Sequence, residues 1–379
     1  MKFIIVIVGN IFAFPPAMSL VHALEKINIE GVLITTKATK SLKNEFENTM
    51  IEELDLDYES IQSPIRKLSM INSLRKELWR RINKYYDNTS IIWSITDVTI
   101  KYLGMELTKR NYILHMLELS EDLYFYHKAP FIKMDKVKLG NYAKAVVVPE
   151  YNRAHLIKTW WRLDKTPYVL PNKPYNKVNW SANETIDDDI AANIISKVEN
   201  KKIILYQGVM SAERPLDMFI DAVDEYNGKY AFVVMSGGKN IYADKKSSNY
   251  YFIPFVTPPK HLQITSHAHI GVLSYVPTDS TGYSPLNSIY CAPNKTFEYS
   301  MFGIPMLGND IPGLKFLFET KNCGRCFDDF TKVDICKAID EIEDNYNDLS
   351  RNALKYYRSC DYKLILEQII KDIKSDRIE

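Results

Sequence analysis

Lys295 and Glu298 stand three residues apart, a spacing that puts both side chains on one face of a helix. Pro293 suits the first turn of that helix, where a missing N–H is harmless, and Gly303 suits the position just past its end. Phe297 and Met301, four residues apart, mark the core face. The predicted helix start, with Asn294 and Lys295 in it, has unpaired amides and the positive end of the helix dipole. Such a start suits an anion beside a diol: a diphosphate on the amides and Lys295, a ribose on Glu298. The same spacing also fits a surface Lys–Glu pair on an ordinary helix.

Other candidate residues follow apolar runs. Gln207-Gly208 closes one run, and Arg214-Pro215 leads into a helical pattern. Gly208 permits close backbone approach, and Pro215 in a first helical turn would set Arg214 at the helix mouth. An arginine there can fork onto phosphate oxygens; it can equally be a solvated residue near a cap. Gly237 lies in a Ser-Gly-Gly turn after the next run, open to a base or phosphate. His115 ends an earlier run, with Glu118 and Glu121 just after it. These three could touch a sugar hydroxyl or act as acid–base groups, or form a cap with surface acids. Gly9 follows the first run of the chain.

Several chemistries are disfavoured. Asp187–Asp189 and Asp55-Leu-Asp57 read as solvated charge runs rather than metal sites. Cys323 and Cys326 have redox-pair spacing, but no second pair or histidine cluster completes a zinc site, and they read as flanking a short strand. The other cysteines are Cys291, Cys336 and Cys360, an odd total that argues against a disulfide framework. Charge is balanced, with 48 basic and 47 acidic residues, which argues against bulk nucleic-acid binding.

The elements that must position these residues alternate. The length of 379 residues predicts two domains. Strands are expected at Phe3–Val8, Gly31–Thr35, Ile91–Ile95, Asn111–His115, Lys144–Val148 and Val169–Pro171. A second series is expected at Ile203–Tyr206, Ala231–Met235, Tyr251–Pro254, Ile270–Tyr275 and Ile304–Leu307. Helices are expected at Pro16–Lys26, within Ser211–Tyr226, and at Lys295–Phe302, Asp334–Tyr346, Leu349–Ser359 and Leu364–Ile373. Apolar strands alternating with helices predict an α/β fold of two Rossmann-like domains. The expected bounds are 1–175 for the first domain, 176–200 for a polar linker, 201–355 for the second domain, and 356–379 for a closing helix packing back on the first. Ligands in such sheets bind beyond the carboxyl ends of the strands, so two such edges would face across a cleft. The apolar start at Met1–Gly9 reads as a buried strand rather than a leader, and no apolar run reaches membrane-spanning length. The expected location is the cytoplasm.

Pro64–Tyr86 reads as a long amphipathic helix. Ile65, Leu68, Ile71, Leu74, Leu78, Ile82 and Tyr85 form its apolar face. Arg66, Lys67, Arg75, Lys76, Arg80, Arg81 and Lys84 surround it. The pattern fits a core-packed helix with a solvated basic face, or a peripheral contact with an anionic membrane.

Taken together, these segments resemble the GT-B glycosyltransferases of glycosyltransferase family 4 and related transferases of surface-polysaccharide synthesis. The resemblance rests on Ile203–Gly208 with Arg214, on Asn287–Tyr299 with its Pro293-Asn294-Lys295 and Glu298-Tyr299, on Gly303-Ile304-Pro305, and on Asn309–Gly313. Pro149–Arg153 and Leu170–Pro174 add to it. It implies a nucleoside-diphosphate sugar held mainly by the second domain, with Arg214 and Lys295 on the diphosphate, Glu298 on the ribose and His115 near the transferred sugar. The acceptor, a saccharide or a lipid-linked saccharide, would lie on the first domain, with Gly9 and Glu118 on that side. No cofactor and no metal is implied. Many members carry two glutamates eight positions apart; here Tyr290 stands at the first and Glu298 at the second.

The resulting expectation is a sugar transferase, retaining and metal-independent, with Arg214, Lys295 and His115 as catalytic residues and Gly208, Asn294, Glu298, Tyr290 and Gly237 as donor-binding residues. Two alternatives stand beside it: a non-catalytic nucleotide- or saccharide-binding partner subunit of a transferase, and a nucleotide-sugar epimerase.

Overall fold

A computed structural model describes residues 1–38, 42, 45–54, 64–125, 133–175, 179–278 and 283–375, with backbone alone at 37 and 64–68. Asp55–Asp57 and the side chains of Ile65, Arg66, Lys67 and Leu68 lie outside the described residues. The chain forms two compact units, Met1–Tyr175 with Asp361–Glu379, and Asn176–Cys360.

The first unit is built on a parallel sheet of strands β1 (Lys2–Asn10), β2 (Gly31–Lys37), β3 (Thr49–Glu53), β4 (Ser90–Ile95), β5 (Tyr112–His115), β6 (Ala145–Val148) and β7 (Tyr168–Val169). Their spatial order is β3-β2-β1-β4-β5-β6-β7. The first apolar run is therefore an inner strand, with Phe3 opposite Gly31 on one side and Ile91 on the other. Burial on both sheet faces explains why Phe3–Val8 is continuously apolar rather than alternating. The edge strand β3 was not expected from the sequence. Thr-Met-Ile-Glu-Glu is polar because an edge stays partly in water, and only Thr49 in it is buried.

The second unit repeats the plan with β8 (Lys202–Gln207), β9 (Tyr230–Ser236), β10 (Tyr250–Pro254), β11 (Ile270–Leu273), β12 (Met306–Asn309) and β13 (Gly324–Phe327), in the order β10-β9-β8-β11-β12-β13. All pairings are parallel. In both sheets the order reverses beside the first strand, between β1 and β4 and between β8 and β11. Such a reversal opens a crevice at the carboxyl ends of the strands.

Some boundaries differ from expectation. The stretch 176–200 is not all linker: Asp189–Lys197 is a helix, capped by the Asp188 side chain, and its Ala191 and Ile195 join the second core. Asp187 pairs with Lys260 at 3.1 Å. The second unit runs past 355 to Cys360, because helix Tyr346–Ser359 packs on helix Lys295–Met301, with Phe297 and Tyr356 stacked at 5.1 Å. The closing helix is Tyr362–Ser375, and it belongs to the first unit: Leu366, Ile369, Ile370 and Ile373 pack with Leu20 and Leu24.

Helix Pro64–Tyr85 buries Leu74, Leu78 and Ile82. Much of its positive charge is satisfied locally. Glu77 pairs with Arg80 and Arg81, Glu52 of β3 pairs with Arg81 and Lys84, and Arg75 donates to the carbonyls of Lys101 and Phe125. Among the described residues no helix is long and apolar enough to cross a membrane.

Candidate functional site

The site in the second unit grows from the end of β8. Gln207 is the last residue of that strand and is buried. Gly208, next in the chain, has φ +132°, and a Cβ there would meet Lys295 Nζ at 3.0 Å. The backbone thus turns sharply at the switch point, and the lysine approaches where no side chain stands. The loop that follows is held down at three places. Tyr206 Oη donates to the Val209 carbonyl at 2.7 Å, Val276 N–H donates to the Glu213 carbonyl at 2.8 Å, and Ser274 Oγ donates to the Pro215 carbonyl at 2.8 Å.

Arg214 lies on this loop and not at a helix mouth. The helix begins at Asp217, with Leu216 as its cap. A residue before proline is pushed out of the helical region, so Arg214-Pro215 delays the helix. The Arg214 guanidinium sits 5.5 Å from the Tyr275 ring, and Lys295 Nζ sits 5.5 Å from the same ring and 4.8 Å from that of Tyr206. Burial and the charge of Arg214 hold the Lys295 ammonium down to about 7, against smaller opposing effects of Glu298 and Cys291.

Helix Lys295–Met301 starts at the expected residue, but Asn294 is its cap and Pro293 stands one residue outside it rather than in its first turn. The Asn294 side chain makes no capping bond, and Thr296 N–H is already used by the Pro293 carbonyl. The seven-residue helix thus offers an anion less than the sequence implies; the side-chain cations offer more. Its end is as expected. Gly303 has φ +69°, Gly303 N–H donates to the Ser300 carbonyl and Ile304 N–H to the Tyr299 carbonyl, the pattern of a Schellman cap. Burial is not confined to Phe297: Tyr299 is wholly enclosed, and its ring fills the space left by Gly271, where a Cβ would come within 2.4 Å.

Glu298 is nearly buried, yet its neighbours are not those the i,i+3 spacing suggested. Gln207 Nε2 donates to Glu298 Oε2 at 2.5 Å, and His261 Nε2 lies 3.4 Å from Oε1. Thr265 Oγ donates to Gln207 Oε1 at 2.6 Å and so orients that amide. Burial pushes the Glu298 carboxyl up; His261, Gln207 and Lys295 outweigh it and leave it below the ordinary value. The group is a carboxylate at neutral pH. Asn309, ending β12, clasps Tyr275 by a reciprocal pair of bonds, Nδ2 to the carbonyl at 2.7 Å and N–H to Oδ1 at 3.0 Å. Gln207, Tyr206, Tyr275, Thr265 and His261 stand outside the set of candidates expected from the sequence. Only Gln207 carried a signal, by ending an apolar strand before a glycine.

Two further residues belong to the expected donor-binding set. Gly237 is exposed just past β9, and Tyr290 is half-buried after the short helix Leu286–Ile289. A cavity of about 820 Å³ lies elsewhere in this unit, lined by Lys202, His269, Ile304 and Tyr346 at the opposite ends of the strands, and holds none of these residues. Cys323 precedes β13 and Cys326 lies within it rather than flanking it, and burial pushes both thiols up to about 12, the reverse of a reactive thiolate.

The sequence-derived set divides between the units. Gly9, His115 and Glu118 belong to the first. Gly9 is the last residue but one of β1, at that sheet's switch point, with φ +147°, and its N–H donates to Thr36 Oγ at 3.0 Å. Glu118 is half-buried on the bend after β5. His115 ends β5, but its ring is wholly enclosed and neither ring nitrogen has a hydrogen-bond partner among the described residues. Burial holds its pKa down to about 3, so the imidazole is neutral. Its ring presents no surface to a ligand.

No protein-family model matches the chain, and no curated protein matches it in sequence. Solved structures do match over its whole length. HepE of Anabaena, in complex with UDP-glucose, superposes with a TM-score of 0.67 at 12% identity, covering 99% of this chain and 100% of HepE. Sucrose-phosphate synthase of Thermosynechococcus elongatus gives 0.68 at 12%, covering 99% and 100%. The trehalose-6-phosphate synthase OtsA gives 0.71 at 9%, covering 99% of each chain. The fold is GT-B. At these identities the likeness is one of fold, two Rossmann-like domains in sequence. Within that GT-B frame, the site after β8 is a pair of basic side chains beside an anchored carboxylate.

Proposed function

We propose that this chain is a glycosyltransferase that moves a sugar from a nucleoside-diphosphate sugar to a saccharide or lipid-linked saccharide of surface-polysaccharide synthesis, in the cytoplasm. One observation carries the reading: Arg214 and Lys295 converge on the Tyr275 ring beside the bare backbone of Gly208, at the switch point of the second sheet. Two cations beside an exposed glycine fit a diphosphate. The carboxylate of Glu298 next to them fits a ribose diol. HepE was determined with UDP-glucose bound, which supports a UDP-linked donor.

In this reading Arg214 and Lys295 stabilise the charge that develops on the departing diphosphate, the part a divalent cation plays in other transferases. The acceptor oxygen attacks the anomeric carbon from the side the diphosphate leaves. The bond from that carbon to the phosphate oxygen breaks, and the acceptor proton passes to the diphosphate. Configuration is retained. The first unit, with Gly9 at its own switch point, takes the acceptor.

The test is turnover of UDP-glucose by the purified protein, with and without saccharide acceptors, read by UDP release. Arg214→Ala and Lys295→Ala are each expected to lower kcat by about 10²–10³-fold. Wild-type rates in both variants would overturn the assignment. The enclosure of His115 favours a second reading, a nucleotide-binding partner subunit without turnover. Tight UDP binding with no release of sugar to any acceptor or to water would select it.

A further inference from the structure

We infer that His261 is a positioning residue for Glu298, and through it for selection of a nucleoside that carries a vicinal ribose diol. The inference rests on the reading of Glu298 as the ribose-binding group.

Glu298 is held at both oxygens by different elements. The end of β8 supplies Gln207 to Oε2, at 2.5 Å. The one-turn helix His261–Thr265 supplies His261 to Oε1, at 3.4 Å. That helix acts twice, because Thr265, four residues after His261 on the same face, fixes the Gln207 amide through its Oε1 at 2.6 Å. With Oε1 of Gln207 engaged by a hydroxyl, the amide must turn its NH₂ toward the carboxylate. The rotation of Glu298 is thus set by two arms from one short helix, one direct and one relayed.

The histidine is arranged to donate. Its Nδ1 is buried and has no hydrogen-bond partner among the described residues. A hydrogen on Nδ1 would be buried without an acceptor, so the favoured tautomer carries it on Nε2, aimed at the carboxylate. A carboxylate oxygen has two acceptor positions, and each oxygen of Glu298 has one protein neighbour here. One position per oxygen remains, a match for the two O–H donors of a vicinal diol. Loss of the His261 arm frees Oε1 to rotate and spoils the two-point match, while leaving the diphosphate pocket intact.

The test is isothermal titration of the full chain with UDP, 2′-deoxy-UDP and 3′-deoxy-UDP. The wild type is expected to prefer UDP by about tenfold or more over each deoxy form, the scale for a buried polar group left unmatched. H261L is expected to lower UDP affinity about tenfold, leave the deoxy forms almost unchanged, and so bring the preference near one. H261Q, whose amide nitrogen reaches the Nε2 position, restores the preference. H261N, which reaches only the Nδ1 position, does not, and serves where H261L fails to fold. Wild-type preference in H261N or H261L would overturn the role of His261. A wild type without preference, or an E298Q variant that keeps it, would instead overturn the ribose role of Glu298. If UDP does not bind, GDP and ADP with their deoxy forms are titrated; binding of none overturns both.

Discussion

Lys295 Nζ lies 4.8 Å from the centroid of the Tyr206 ring, and burial together with Arg214 holds its ammonium down to about 7. A bound diphosphate adds negative charge beside it and restores the charged form. Binding above pH 7 therefore takes up a proton. Nucleotide affinity is expected to be highest below about pH 7 and to weaken as pH rises through it, by up to about tenfold per pH unit. Lys295→Arg, charged at every working pH, is expected to flatten that slope. Titrations in two buffers of different ionisation enthalpy measure the proton uptake directly; equal heats above pH 7 would contradict it.

The same group opposes folding of the ligand-free protein. Its folded pKa lies below that of the unfolded chain, so the charged lysine carries a penalty that is full below about pH 7 and is relieved as pH rises toward 10.5. Lys295→Met removes the penalty while keeping the stem. The variant is expected to melt at a higher temperature than wild type at neutral pH without ligand, and to lose nucleotide binding. A lower melting temperature would mean that packing of the ammonium stabilises the fold outright.

Gly208 has φ +132°, a conformation that side chains rarely adopt, and its missing Cβ leaves the place Lys295 Nζ occupies at 3.0 Å. Gly208→Ala is expected to destabilise by about 1–3 kcal/mol and to weaken nucleotide binding as well, since the lysine must move. Gly228, at φ +82° with only Asn249 Oδ1 at 4.0 Å from its Cβ position, separates the two effects. Gly228→Ala is expected to lower the melting temperature similarly and leave the nucleotide Kd alone.

Much of this was legible in the sequence. Parallel strands buried on both faces appear as unbroken apolar runs, so β1, β8 and β9 were found nearly to the residue. The polar edge strand β3 has no such signature. Arg214 and Lys295 could be named from the prolines close before or after them, and Glu298 from its three-residue spacing to Lys295. Their immediate partners could not. His261 meets Glu298 only because the β10–β11 connection folds over the sheet edge, and no spacing rule joins those positions. Two prolines were misplaced for one reason: Pro215 and Pro293 were assigned to a first helical turn, and each stands two residues ahead of its helix.

His115 tests how far burial governs the first unit. It is wholly enclosed among residues such as Trp93, whose ring lies 6.3 Å away edge-on, and burial holds its pKa down to about 3. In the unfolded chain a histidine titrates near 6.5. The folded value is the lower one, so between these limits the unfolded chain binds more protons, and stability is present above about pH 6.5 and lost as pH falls toward 3. The loss is about 1.4 kcal/mol per pH unit once the unfolded histidine is fully charged. His115→Leu, of similar volume and without a titratable ring, is expected to remove this component, so that urea midpoints of the variant and wild type diverge below about pH 6 in favour of the variant. Parallel curves down to pH 4 would show that the wild-type ring reaches water or a proton acceptor, and would restore it as a candidate for contact with the sugar.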